Sequence, residues 1–294
     1  MSTETVDPRY VEIDLWPTAL AVEAMLEGQL AAVAALKGQV GVIAGAAEEA
    51  AHRLLRGGRL VYAGAGTSGR IAVLDGVELV PTYNWSPDRL VYLMAGGMGA
   101  LTESAEGAED DAAAGRREIA EAGVGPDDVV IGLAASGRTP YTVAAVTAAR
   151  EAGALTLGVA NNAGSALLAA AEYAVLAETG SELVAGSTRM KAGTAQKVAL
   201  TLFSTTVMMR CGLVYRGMMI DMRISNEKLL KRGQVMVASI AGVDEATAVR
   251  ALAAAGNEIK LAVLLARGHE EAAAQALLGR CNGNLRAALA EASA

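Results

Sequence analysis

Apolar positions recur at helical spacing through the first 55 residues of the chain. They run from Ala19 to Leu36, after Pro17, a residue that suits a first helical turn. They resume from Val40 to Leu55, and Gly57-Gly58 ends the pattern. The spacing predicts two consecutive helices at the start of the chain.

Short apolar runs then alternate with helical segments such as Thr139–Ala152. The runs are Arg59–Ala63, Leu90–Met94, Val129–Leu133, Leu155–Val159 and Tyr173–Leu176. Strands that alternate with helices are typical of βαβ units, in which a parallel sheet lies between two layers of helices. The sequence therefore predicts an α/β fold with a three-layer parallel sheet flanked by helices. Such sheets bind ligands beyond the carboxyl ends of their strands.

The chain becomes helical again from Thr188, and its composition shifts after Gly242. Short amphipathic helices are predicted at about 244–255, 258–266, 270–278 and 285–292, separated by glycines. We therefore predict two domains. Residues 1–240 hold the sheet and the N-terminal helices, and residues 241–294 form a small helical tail.

Composition and charge narrow the class of protein. Of 294 residues, 53% are hydrophobic and 19% are charged, which is typical of a folded chain. A net charge of −7 disfavours nucleic acid and anionic lipid as partners. The N-terminus carries no signal sequence, and no apolar run is expected to reach the ~18 residues that span a bilayer, so a cytoplasmic protein without membrane contact is predicted.

Cysteine and histidine are too few and too scattered for a metal site. The chain has two of each, Cys211 and Cys281, and His52 and His269, with no partners at ligand spacing. Neither a metal nor a disulfide framework is predicted.

A small-residue loop with hydroxyl groups follows the first strand. Its sequence, Gly64-Ala65-Gly66-Thr67-Ser68-Gly69-Arg70, matches the dinucleotide pattern G-x-G-x-x-G. A dinucleotide fold also places an acid at the end of the next strand, which here ends Met94-Ala95-Gly96-Gly97. Pro81 and Pro87 are further expected to interrupt the crossover helix. These features disfavour a dinucleotide site.

Two more hydroxyl-rich loops precede predicted helices, at Ala134–Pro140 and Gly186–Thr194. Backbone N–H groups at helix N-termini, with Ser and Thr hydroxyls, bind a compact phosphate monoester. The candidate phosphate-binding residues are Gly66, Thr67, Ser68, Ser136, Gly137, Arg138, Thr139, Ser187, Thr188 and Lys191. Alternatively, the hydroxyls only cap helices, and Arg189 and Lys191 are solvated surface charges.

The candidate catalytic acids lie between the first two loops. Glu78 is isolated among apolar residues, where burial is expected to raise its pKa and let it act as an acid. Glu106 and Glu109 are three residues apart, which predicts that they share one helical face. The alternative is that this acidic stretch is only a solvated surface.

Several motifs together resemble the N-acetylmuramic acid 6-phosphate etherases. They are Gly64–Arg70, Glu106–Asp110, Ala134–Tyr141 and Gly186–Lys197. Asn226–Leu229 resembles a further family segment, and the helical tail is similar to the family's UBA-like end. The resemblance implies the sugar isomerase (SIS) fold and a homodimer whose partner helps complete each site. It also implies a phosphosugar substrate held by the Ser/Thr loops, with neither cofactor nor metal.

The resemblance further implies a reaction and roles for named residues. The family cleaves the lactyl ether at C3 to give N-acetylglucosamine 6-phosphate and D-lactate. The aldehyde of the open-chain sugar acidifies the C2 proton, so that a base removes it, lactate leaves and water adds. By motif, Glu109 is the base, Glu78 is the acid, and Asn226 and Glu227 join the binding residues.

Two other functions remain open from the residues. One is a sugar-phosphate-sensing regulatory protein, since the longer glucokinase regulatory protein is similar to the etherases. The other is an aldose–ketose isomerase on the same fold. Lactate release distinguishes the etherase from both.

Overall fold

The computed structural model describes residues 2–103 and 105–292. The chain forms two compact units. The first comprises Met1–Val77 and Pro87–Val207, and the second comprises Glu78–Ser86 and Met208–Ala294.

The two N-terminal helices form as predicted. Helix α1 spans Thr18–Ala34 with Pro17 at its N-cap, and α2 spans Val40–Leu55 after a short 3-10 turn. The stretch Thr18–Leu55 reaches a mean hydropathy of 1.6 over 18 residues, which is apolar enough to cross a membrane by length and composition alone. The expectation that no run reaches this length is therefore wrong, because the two helical segments are continuous. Core helices of soluble proteins meet the same criterion.

A five-stranded parallel sheet forms the centre of the first unit and confirms the predicted α/β fold. Its strands are β1 (Leu60–Gly64), β2 (Leu90–Met94), β3 (Val129–Ala134), β4 (Leu155–Ala160) and β5 (Tyr173–Leu176). The order is β2-β1-β3-β4-β5, and every residue of β1, β3 and β4 is buried. These strands are continuously apolar because helices cover both faces of a parallel sheet. The strand order reverses at β1, so the ligand crevice is expected between β1 and β3.

Helices connect the strands on both sides of the sheet. They are α3 (Gly66–Tyr83), α4 (Ala112–Glu121), α5 (Pro140–Glu151) and α6 (Ala166–Ala170), and α7 (Lys191–Arg210) follows β5. Helix α3 continues through Pro81 to Tyr83, so the predicted interruption at this proline is wrong. Pro81 lies in the last turn, where the missing backbone donor affects only the helix end.

The second unit contains a short hairpin and five helices. These are β6 (Val214–Tyr215), β7 (Met218–Met219), α8 (Glu227–Ala241), α9 (Glu245–Ala254), α10 (Ile259–Ala266), α11 (Glu271–Arg280) and α12 (Leu285–Glu291). The last four confirm the helices predicted for the tail. Val237 and Ile240 of α8 pack in one core with Leu252 and Ile259. The second unit, Glu78–Ser86 with Met208–Ala294, thus includes the predicted tail of residues 241–294, and the predicted domain boundary at residue 240 stays a prediction.

Candidate functional site

The glycines of the first loop close a tight strand-to-helix turn. A Cβ on Gly64 would lie 2.8 Å from the Cα of Gly69, and a Cβ on Gly69 would lie 2.4 Å from the Met94 sulfur. Backbone therefore packs directly on backbone where β1 passes into α3. The turn leaves the first amides of α3, at Gly66, Thr67 and Ser68, at the carboxyl edge of the sheet. Gly64 and Gly69, two of the three glycines in the G-x-G-x-x-G pattern, are thus required by the turn itself.

The third loop lies against the first. A Cβ on Gly193, in the first turn of α7, would lie 3.7 Å from Cγ2 of Thr67 and 3.3 Å from the carbonyl oxygen of Thr188. Gly193 therefore lets α7 approach the start of α3. The structure brings together the loops that hold Thr67 and Thr188, as the phosphate hypothesis requires.

Thr3 links the second loop to the third. Its side chain is buried, and its hydroxyl oxygen accepts a hydrogen bond from Nδ2 of Asn162 at 3.1 Å. The same Nδ2 donates to the carbonyl of Ala135 at 2.9 Å, next to Ser136. The carbonyl of Thr3 accepts from the Gly186 amide at 3.1 Å. Sequence reasoning missed Thr3 and Asn162, because 159 positions separate them and neither belongs to a hydroxyl-rich loop.

In the second loop the hydroxyls do not cap α5. The Ser136 hydroxyl oxygen accepts from the Arg138 amide at 3.1 Å, and Thr139 at the N-cap makes no side-chain capping bond. Gly137 has a φ of +64°, and a Cβ there would lie 2.2 Å from Oγ of Ser165. Helix capping therefore does not explain the hydroxyls of this loop.

A carboxylate from the chain itself occupies the start of α7. Glu182 is fully buried and accepts hydrogen bonds from the amides of Lys191 and Ala192, both at 2.9 Å. The Lys191 ammonium is nearly buried and donates to the Thr179 carbonyl at 2.8 Å. Sequence reasoning did not single out Glu182. The predicted contact of Lys191 with a phosphate stays a prediction.

A cavity of about 300 Å³ opens beside the start of α3. It is lined by Gly66, Arg70, Glu106 and Glu109, together with small residues around Ala95 and Ala105. The Arg70 guanidinium donates to the carbonyls of Ala100 (2.8 Å) and Leu101 (3.0 Å). Arg70 thereby fixes the segment that leads to the two acids.

Glu106 and Glu109 do not share an α-helical face, so that expectation is wrong. Gly107 is left-handed, with a φ of +72°, and Glu109 lies in a 3-10 turn of Ala108–Asp110. Both carboxylates nevertheless line the same cavity and are exposed to solvent. The acidic stretch is thus partly a cavity wall.

Three predicted site residues lie in the second unit. Glu78 is exposed on α3, so the burial expected around it is not found in the single chain. Asn226 and Glu227 are exposed at the start of α8, where Oδ1 of Asn226 accepts from the Leu229 amide at 2.9 Å. Their contacts with a substrate stay predictions.

No group of three or more His, Cys, Asp or Glu side chains placed to hold a metal occurs within residues 2–103 and 105–292. Neither Cys211 nor Cys281 forms a disulfide.

The parallel sheet, with hydroxyl-rich loops at its carboxyl edge, defines a SIS-domain protein. The model of the SIS domain matches residues 117–206, and that of the glucokinase regulatory protein N-terminal SIS domain matches residues 42–150. A phosphoheptose isomerase from Francisella tularensis aligns with a TM-score of 0.49 and 16% identity, over 66% of this chain and 98% of that one.

Curated relatives give the family. The N-acetylmuramic acid 6-phosphate etherase of Deinococcus radiodurans is 47% identical over 296 residues, covering 99% of this chain and 96% of its own. That of Streptomyces avermitilis is also 47% identical, over 294 residues, covering 99% of this chain and 94% of its own. The chain belongs to the N-acetylmuramic acid 6-phosphate etherase family.

Proposed function

We propose that this chain is a carbon–oxygen lyase that cleaves the lactyl ether of N-acetylmuramic acid 6-phosphate. The products are N-acetylglucosamine 6-phosphate and D-lactate, formed by elimination and then addition of water. Identity of 47% with two etherases over 99% of the chain favours this reaction over a phosphosugar sensor or an isomerase. The observation that carries the proposal is the cavity in which Glu106 and Glu109 lie with Gly66, the first residue of α3.

The phosphate of the sugar binds at the starts of α3 and α5. Free amides and the positive end of each helix dipole favour a phosphate there. The Ser68 and Ser136 hydroxyls add donors to the same edge of the sheet. This site needs no lysine-rich surface, which agrees with the chain's net charge of −7.

Glu109 removes the C2 proton and Glu78 donates a proton to the departing ether oxygen. The aldehyde of the open-chain sugar delocalises the electron pair left at C2, and that pair forms the C2–C3 double bond as the C3–O bond breaks. The carboxyl groups must hold opposite protonation states for these roles. Glu109 lines the cavity and is exposed, so a bound sugar can reach its carboxylate.

A second copy of the chain completes each site. Helix α1 buries Ala24 and Ala32 but exposes Leu20, Leu26 and Leu30, each more than half accessible. Leu74 and Val77 are also about half exposed, directly before Glu78. A partner subunit that covers this surface also covers the Glu78 carboxyl and closes the site around it.

The enzyme acts in the cytoplasm, without a cofactor, nucleic acid or membrane as partner. The test is incubation of the purified chain with N-acetylmuramic acid 6-phosphate and an enzymatic assay of D-lactate. One lactate per sugar consumed supports the etherase. Consumption of the sugar without lactate supports an isomerase, and binding without turnover supports a sensor.

A further inference from the structure

The start of α7 holds a negative charge supplied by the chain. The N-terminus of a 20-residue helix offers unpaired amides and a partial positive charge. Both oxygens of Glu182 are used there, Oε2 by the Lys191 amide and Oε1 by the Ala192 amide, each at 2.9 Å. Glu182 has no exposed surface. A buried carboxylate therefore stands where an anionic ligand would bind this helix.

The same carboxylate closes the base of the third loop. The sheet ends at Leu176, and residues 183–190 connect Glu182 to Lys191, the first residue of α7. The Lys191 ammonium closes the loop a second time through its 2.8 Å bond to the carbonyl of Thr179. Inside the loop, the amide of Ser187 donates to the Val184 carbonyl at 2.9 Å. The position of Ser187 and Thr188 thus depends on two buried charges that hold the ends of the loop.

The third loop also lies close to the first loop, near the start of α7. The Gly193 amide donates to the Thr188 carbonyl at 2.8 Å, and Gly193 lies close to the Thr67 side chain. A shift of the loop base is therefore transmitted to the residues beside the start of α3, because interiors are close-packed.

We propose that Glu182 is a positioning residue for substrate binding. It fixes Ser187 and Thr188 beside the start of α3, and it fills the α7 N-terminus so that the sugar phosphate binds at α3 and α5. Lys191 then serves the loop and does not bind the phosphate. This inference rests on the proposed phosphosugar substrate. It explains why the phosphate binds at the starts of α3 and α5 and not at the start of α7.

The test is the Glu182→Gln variant, which keeps the volume of the side chain but replaces one acceptor oxygen by a donor. Calorimetric titration with N-acetylglucosamine 6-phosphate is expected to show binding weakened about tenfold or more, the loss typical of a hydrogen bond to a charged group. KM for the etherase substrate should rise by a similar factor, with a smaller change in kcat.

Leu54→Ala is the matched control for stability alone, since Leu54 is buried on α2 and belongs to none of the three loops. It should lower the melting temperature and leave the dissociation constant unchanged. If Glu182→Gln binds the product as tightly as wild type, or weakens binding no more than Leu54→Ala, the inference is overturned.

A double-mutant cycle covers the case in which the glutamine variant folds poorly. Glu182→Asp keeps the charge, and it is combined with Thr188→Val. If Glu182 acts through the loop, the combined loss of binding is smaller than the sum of the single losses. Additive losses contradict the inference. Failure of the wild type to release lactate counts against the proposed reaction, whereas these binding measurements test the role of Glu182 separately.

Discussion

Glu109 and Glu78 have different chemical roles, so their variants should fail in different ways. Glu109→Gln and Glu78→Gln keep side-chain volume but remove a proton transfer worth roughly 10²–10⁴ in rate. Both should lose lactate release with unchanged melting temperatures. In deuterated water, Glu78→Gln should still exchange the C2 proton of the substrate, and Glu109→Gln should not.

The exchange is followed by NMR on the recovered sugar. Glu106→Gln serves as the control, because it lines the same cavity without an assigned role. Equal exchange in the Glu78 and Glu109 variants would contradict the assignment of acid and base.

The hydroxyls of the first two loops should affect binding more than turnover. Ser68→Ala and Ser136→Ala each remove a donor to a phosphate that lies away from C2 and C3, so KM should rise and kcat should change less. A lost hydrogen bond to a charged group costs about 1.5–3 kcal/mol.

Thr147→Ala is the control for these variants, since the Thr147 hydroxyl bonds the Val143 carbonyl inside α5. Steady-state kinetics give KM and kcat for each variant. Unchanged affinity in the Ser68→Ala/Ser136→Ala double variant would mean that the hydroxyls do not contact the phosphate.

Sequence motifs located the hydroxyl loops and Glu109 but not the residues that hold them in place. Thr3 and Glu182 act through side-chain bonds to backbone amides or distant side chains, and such bonds have no sequence spacing. The surroundings of Glu78 could not be predicted either. Apolar neighbours along a helix do not bury a carboxylate when they face solvent, as Leu74 and Val77 do.

Asp128 joins the starts of β1 and β3, so its loss should destabilise the sheet. Oδ1 accepts from the Arg59 amide at 2.8 Å, and Oδ2 accepts from the Arg59 guanidinium at 2.7 Å and the Gly125 amide at 3.0 Å. Burial opposes ionisation, but these bonds to Arg59 and Gly125 outweigh it and lower the pKa of Asp128.

Asp128→Asn should cost about 1–3 kcal/mol in the free energy of unfolding at pH 7, measured by urea denaturation. A lowered pKa stabilises the fold above the unfolded value near 3.9, and this contribution disappears as pH falls through the folded pKa. The difference from wild type should therefore shrink below about pH 4. Asp127→Asn, at an exposed pair with Arg56, should change stability by less than about 0.5 kcal/mol. Equal losses in both variants would contradict the role of Asp128.

The helices and strands were predictable because their periodicities differ and their ends carry strong signals. The five apolar runs coincide with β1 to β5 to within a residue. Two predictions about helices were wrong, because in each case a single residue mattered more than the periodic pattern of the sequence. Gly107 turns the acidic segment out of a helix, and Pro81 lies too near the end of α3 to stop it.

The exposed face of α1 should make the active enzyme a dimer. Leu26→Asp and Leu30→Asp place charges on apolar surface that a second copy would bury, so both mass and specific activity should fall. Light scattering and lactate assays across a concentration series measure the two together. Val249→Asp, on α9, is the control at another partly exposed apolar position.

Two outcomes would contradict the shared site. One is a monomer with full activity per chain, and the other is recovery of the wild-type protein in the membrane fraction, held there by the apolar stretch Thr18–Leu55.

The architecture of the first unit followed from the sequence. Alternating strands and helices dictate a parallel sheet, since crossovers are right-handed and cover both faces. The longer segment of the second unit begins at Met208, and α8 packs in the core of that unit. The amphipathic pattern of a helix does not show which surface it packs against.

The central claim is elimination of lactate from C3 followed by addition of water. It is tested most directly by turnover of N-acetylmuramic acid 6-phosphate in deuterated, ¹⁸O-enriched water, with mass spectrometry of both products. We expect one ¹⁸O at C3 and one deuterium at C2 of N-acetylglucosamine 6-phosphate, and lactate that retains its ether oxygen. Solvent ¹⁸O in the lactate hydroxyl, with C2 unlabelled, would show cleavage of the other C–O bond of the ether and contradict the mechanism.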